Sequence, residues 1–66
     1  MSGPEPSSRE LLELARGVCT AREVEALEWW ARGAGYRRIG LILGVWPPRA
    51  RDRVQRALRK LERAAR

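Results

Sequence analysis

The chain has 66 residues, with 14 Arg and Lys against 8 Asp and Glu, no His and one Cys. A chain of this length forms one small domain, hiding only about 60 % of the surface that its unfolded form exposes, and it has no room for a large catalytic cleft. With Cys19 alone and no His, an internal disulfide, a structural zinc site and the Ser–His or Cys–His nucleophilic pairs are excluded, so neither an enzyme nor a cofactor is expected. The same cysteine usage fits a reduced, cytoplasmic setting. The start of the chain carries no apolar signal region. The longest mostly apolar run, Ile39 to Trp46, is far below the roughly 20 residues of a membrane span, so no membrane partner is expected.

The net charge of +6 is the difference between two unlike halves. Residues 1–31 hold three arginines against six glutamates, a net −3, whereas residues 32–66 hold eleven Arg and Lys against only Asp52 and Glu62, a net +9. An excess so polarised suits a face made for phosphates.

In chain order, residues 1–6 read as a disordered leader, because Gly3, Pro4 and Pro6 oppose regular structure; the domain is expected over residues 7–66. Ser7-Ser8-Arg9-Glu10 has the form of a capping box and should open a helix to about Arg16, stopped by Gly17. Leu11, Leu14, Ala15 and Val18 make its apolar stripe, with Leu12 to one side. Thr20-Ala21-Arg22-Glu23 is a second capping box, opening a helix to about Arg32. There Val24, Leu27, Trp30 and Ala31 mark the buried face, with Trp30 expected in the core and Trp29 partly exposed. Gly33-Ala34-Gly35 breaks the chain with a tight turn. Tyr36 to Leu43 is a short third helix with Ile39, Ile42 and Leu43 as its apolar face, stopped by Gly44. The last helix opens near Pro47 or Pro48, where a missing N–H does no harm, and runs to about Ala65 on the stripe Ala50, Val54, Ala57, Leu58 and Leu61. Four helices and no strand pattern make this an all-α domain.

The segment Tyr36 to Arg56 is a short helix, a turn centred on Gly44 and a strongly cationic second helix, the layout of a helix-turn-helix. Gly40 suits a steep crossing that leaves no room for a side chain, and Gly44 supplies the positive φ of the turn. Residues 19–61, about two thirds of the chain, resemble the DNA-binding module of region four of bacterial sigma factors and its relatives, the LuxR/GerE-type response-regulator domains. The resemblance is carried by Thr20-Ala21-Arg22-Glu23, Ala26-Leu27 and Ala31-Arg32-Gly33. It continues through Tyr36 to Val45, like the family's first motif helix and turn, and Arg51 to Leu61, similar to its recognition helix. The chain departs from the family pattern where the family usually has an acid (Arg38, often Leu41), small polar residues (Trp46, Pro47, Pro48), Ala (Gly40) and Val or Ile (Ala50). The resemblance implies a stand-alone, nucleoid-associated transcription regulator that binds double-stranded DNA, with RNA polymerase or another transcription protein as a further partner. Two alternatives stay open: a protein-interaction module for polymerase or a sigma factor, acting through Glu25, Glu28 and Trp29, and a phage DNA-packaging recognition subunit.

The candidate DNA-binding residues are Arg37, Arg38, Pro48, Arg49, Arg51, Asp52, Arg53, Gln55 and Arg56. Arg bonds bidentately to guanine and Gln to adenine in the major groove. Asp52 either faces the groove or pairs with Arg56 one turn on and orients it. Arg37 and Arg38 open the first motif helix, where phosphate contact and a solvated helix start are both open. Trp46 reads as a core plug, the other reading being an exposed aromatic wedge. Arg59, Lys60 and Arg63 read as solubilising, Cys19 as a buried inert thiol. The stripe Val54, Leu58, Leu61, Ala65 leaves a homodimer seam open.

Overall fold

The computed structural model describes residues 8–65; the expected leader and the Ser7 side of the first capping box lie outside them. Among the described residues there are four helices and no strand: α1 Ser8–Val18, α2 Ala21–Ala31, α3 Tyr36–Leu43 and α4 Pro47–Ala64. The domain is all-α. With 18 residues, α4 is about 27 Å long, and it packs against each of the other three.

The start of α2 follows from its capping box. The Glu23 amide donates to Thr20 Oγ1 at 3.2 Å, and the Thr20 amide donates to Glu23 Oε1 at 2.9 Å. Two amides that a helix start leaves unpaired are thereby satisfied. At the other end Gly33, with φ +94°, turns the chain away. α1 runs one residue past Gly17 and ends at Val18, with the Cys19 amide still bonded to the Ala15 carbonyl at 2.7 Å. A glycine inside a helix costs about 1 kcal/mol but does not by itself end one, and here the Thr20 cap of the next helix sets the boundary.

The core has two parts, and α4 supplies both. Ala15, Val24, Leu27, Ala57 and Leu61 form one, with Leu12, Cys19 and Leu58 packed on it. Ala26, Ile39, Ala50 and Val54 form the other, covered by Trp29, Tyr36, Leu43, Val45 and the same Leu58. Two expected stripes are rotated relative to this core. In α1 the inward residues are Leu12 and Ala15, whereas Leu11, Leu14 and Val18 are exposed. Both stripes of α1 are apolar, so its pattern leaves the phase to the packing partner. In α2 the inward set is Val24, Ala26 and Leu27 with Trp29 half-buried, and Trp30, expected in the core, is 41 % exposed, with Ala31 also outside. Trp29 lies over the second core part and is capped by Arg32, whose guanidinium carbon stands 5.2 Å from the ring centroid. In α3, Ile39 is buried and Leu43 half-buried, but Ile42 is exposed.

Candidate nucleic-acid interface

The turn between α3 and α4 is built from backbone constraints. Gly44 adopts φ +71° and ψ 34°, the left-handed conformation that ends many helices. The Val45 amide then donates back to the Gly40 carbonyl at 2.8 Å. This folds the turn over α3 so closely that a Cβ on Gly40 would stand 2.5 Å from the Val45 carbonyl oxygen and 3.4 Å from the Pro47 nitrogen. The expectation of crowding at Gly40 holds, but the crowding comes from the backbone of the turn rather than from a crossing helix.

α4 opens without a side-chain cap. Its N-cap is Trp46, and Pro47 and Pro48 occupy the first two helical positions. Those two residues have no N–H, and the next two amides, of Arg49 and Ala50, both donate to the Trp46 carbonyl at 2.9 and 3.0 Å. Residues 47–50 therefore present no free amide, unlike a usual helix start. Trp46 is not a core plug: it is 83 % exposed. Its ring is pushed outward because Val45 already fills the core position at the turn. Leu41, on the neighbouring stretch of α3, is 81 % exposed. Together with Arg37, Gly40, Gly44, Val45 and Pro47 they line an open cleft of about 540 Å³.

Around this turn stand the candidate contact residues. Arg37, Arg38, Pro48, Arg49, Arg51, Asp52 and Arg56 are exposed, and Arg53 and Gln55 are half-buried. Neither α3 nor α4 carries an acid in its first turn. Gln55 Nε2 donates to Tyr36 Oη at 3.4 Å, tying the outer face of α4 to the start of α3. At 100° per residue, Asp52 lies opposite Ala50 and Val54, and Gln55 and Arg51 continue from it as one strip toward the flank where Tyr36 holds Gln55. Arg53 is not with them. It lines a shallow depression with Arg22, Glu25, Ile42 and Leu43 on the other flank. Ion pairs join Arg16 to Glu28 at 3.6 Å and Lys60 to Glu23 at 2.7 Å. Asp52 and Arg56 do not form the pair that their spacing allowed, because both side chains are exposed and water competes for them.

The proposed protein-binding trio on α2 is divided. Glu25 is exposed, Glu28 is half-buried and paired with Arg16, and Trp29 packs on the core.

Lys60, read from sequence as solubilising, has an internal role. It donates to Glu23 Oε1 at 2.7 Å, the same oxygen that caps α2, and so clamps α2 to α4. Burial, the largest influence, raises the pKa of the Glu23 carboxyl. The hydrogen bonds from Lys60 and Thr20 and the Lys60 charge together outweigh it, and the carboxyl is held below its ordinary value. Sequence alone offered only an acid in a capping box and a cation 37 residues away, with nothing to join them. Cys19 is half-buried, with Sγ 3.8 Å from the Ala57 carbonyl oxygen. Burial first, then the nearby Glu23 charge, pushes its thiol pKa up, with Lys60 opposing, as suits an unreactive thiol. Among the described residues no group of His, Cys, Asp and Glu is placed to hold a metal ion, and no helix is long and apolar enough to cross a membrane. Comparison with known protein families, with curated proteins and with solved structures gives no match for this chain.

Proposed function

We propose that this chain binds double-stranded DNA as a transcription regulator, using α3, the Gly44 turn and α4 as a helix-turn-helix with α4 in the major groove. The observation that carries the reading is the charge of that unit. Residues 32–66 hold eleven cations against two acids, and Arg37, Arg38, Arg49, Arg51 and Arg56 all stand exposed on α3 and α4. A helix fits a major groove about 12 Å wide. Arg51, Asp52 and Gln55 are then the residues aimed at base edges, with Tyr36 holding Gln55 in place. Arg37, Arg38, Arg49 and Arg56 serve phosphates on either side. Arg53, on the flank toward α2, is a minor contributor at most. The likeness of residues 19–61 to sigma region four and LuxR-type domains supports the same reading.

Fluorescence titration of a labelled duplex tests it. Neutralising about six phosphates gives log affinity a slope near −5 against log salt. Changing Arg49 and Arg56 together to Ala lowers affinity at every sequence and reduces that slope by about 2. Absence of duplex binding at about 50 mM salt, where counterion release favours binding most, defeats the proposal.

A second reading, docking on a transcription protein such as RNA polymerase, has its own observation. Leu11, Leu14, Val18 and Trp30 are exposed on the α1–α2 side, away from the cationic unit. Retention of polymerase by the chain but not by Trp30→Ala supports it.

A further inference from the structure

The cleft at the turn is not explained by phosphate binding. Its walls are mostly apolar, its two most prominent side chains are Leu41 and Trp46, and they are 81 % and 83 % exposed. Large apolar side chains this open, side by side on a small domain, mark a contact surface. The start of a helix ordinarily offers free amides to an anion. Here Pro47 and Pro48 have none, and the Arg49 and Ala50 amides are turned onto the Trp46 carbonyl. The start of α4 thus offers a phosphate no amide from residues 47–50, and the apex offers an apolar group two large exposed side chains. The surroundings, however, are cationic: Arg37 lines the cleft, Arg38 and Arg49 stand exposed beside it, and no acid lies in the first turn of α3 or α4. An apolar partner set within a polyanion fits both features. The major-groove edge of duplex DNA has one such group, the thymine 5-methyl.

We infer that Trp46 and Leu41 form an apolar pad that covers thymine methyl groups at the edge of the site read by α4, so that the chain prefers thymine there without a hydrogen bond to the base. This inference rests on the proposed DNA binding and adds a base class to it. The position of the pad fits the task. Trp46 immediately precedes α4, so it enters the groove with the helix, and the two prolines hold the chain around it at nearly fixed φ. The close fold of the turn over Gly40 keeps Leu41 and Trp46 on one side of it. Arg37, with Arg49, anchors the flanking phosphates and sets how deep the pad sits.

The test uses the full chain and a duplex selected by it from a random pool. Each thymine of that duplex is replaced in turn by deoxyuridine, which removes only the methyl. The expected result is one or two adjacent thymines at a fixed place where affinity falls about fourfold each, the worth of one buried methyl-sized group. In Trp46→Ala and Leu41→Ala chains, shown by circular dichroism to be folded, that fall shrinks or vanishes, while the salt slope stays as in the parent because no charge is removed. The DNA-side change needs no protein variant, so misfolding cannot imitate it. Selected duplexes without a fixed thymine, equal affinity for thymine and uracil at every position, or a methyl effect that survives both variants overturn the inference while leaving DNA binding intact. Trp46→Ala that leaves duplex affinity unchanged but abolishes self-association or capture of a protein also overturns it. Absence of duplex binding by the parent chain overturns both readings.

Discussion

The two parts of the core close to different degrees, although each end of the domain leaves apolar side chains outside, Leu41, Ile42 and Trp46 at the turn and three on α1. Around α3 the core is tight: Ile39 and Val54 are the two largest side chains to be fully buried, and both belong to the part of the core that holds the turn. Around α1 the core is open. Val24, Leu27 and Leu61 each keep a few per cent of their surface, and Leu11, Leu14 and Val18 stand outside. Charge divides the same way, with a net −3 over residues 1–31 and +9 over residues 32–66. The cationic half repels itself, and its precision depends on dense packing under the turn. The acidic half is joined to α4 by the apolar contacts of α1 and α2 and by a polar clamp, Glu23 with Lys60. The two largest fully buried side chains therefore lie under the turn that carries the proposed contact surface, and α1 packs on the other part of the core.

Four substitutions would break or sharpen that contrast. The largest effect is expected from Ile39→Ala, which empties a fully buried site and should cost about 4 kcal/mol, enough to unfold much of a domain this small. The same truncation of Leu14, already exposed, should cost about 0.5 kcal/mol or less. Urea unfolding of the two variants decides it, and similar losses would refute the difference between the two ends. Next comes Gly40→Ala. Its Cβ would meet the Val45 carbonyl oxygen at 2.5 Å, and since that atom is backbone, the turn itself must move. A loss of about 2 kcal/mol in urea unfolding is expected, with duplex affinity falling as well because Trp46 and α4 shift together. After it comes Glu23→Gln, at about 1 kcal/mol near neutral pH. The Glu23 carboxyl has a lowered folded pKa. Its contribution is therefore present above the ordinary carboxylate range and lost as pH falls through the lowered value. The parent should lose stability along that acid limb, and the variant should lose less of it, as thermal unfolding at a series of pH values would reveal.

Much of the fold was legible because its boundaries are set locally. Thr20 with Glu23, Gly44 and the Pro47-Pro48 pair each fix an end of a helix through their own backbone chemistry, and α3 lies over the expected Tyr36–Leu43. Helix phase was less legible. Trp29 and Trp30 differ by 100° on the wheel, and which of them turns inward depends on where α3 and α4 lie, which no local pattern in α2 states. The same holds for Leu12 against Leu11 and Leu14. Trp46 was expected inside because a large aromatic beside a turn usually packs, yet Val45 had already taken that place. The Lys60–Glu23 clamp joins residues 37 positions apart and has no sequence signal beyond the presence of both charges. Among the candidate contact residues, exposure of the arginines followed from their spacing against the Ala50–Val54 stripe. The turning of Arg53 toward α2 required the position of a second helix.

The proline pair that opens α4 also acts on the unfolded chain. A helix is slow to begin because its first turn fixes several dihedrals for a single hydrogen bond. Pro47 and Pro48 have two of those dihedrals fixed before folding starts, and each such restriction removes about 0.4–1 kcal/mol of chain entropy from the unfolded side. The longest helix of the domain therefore starts from the stretch with the least freedom to lose. Exchanging both prolines for small polar residues would return two amides to the helix start, and the unfolded chain would regain the entropy that the rings had withheld.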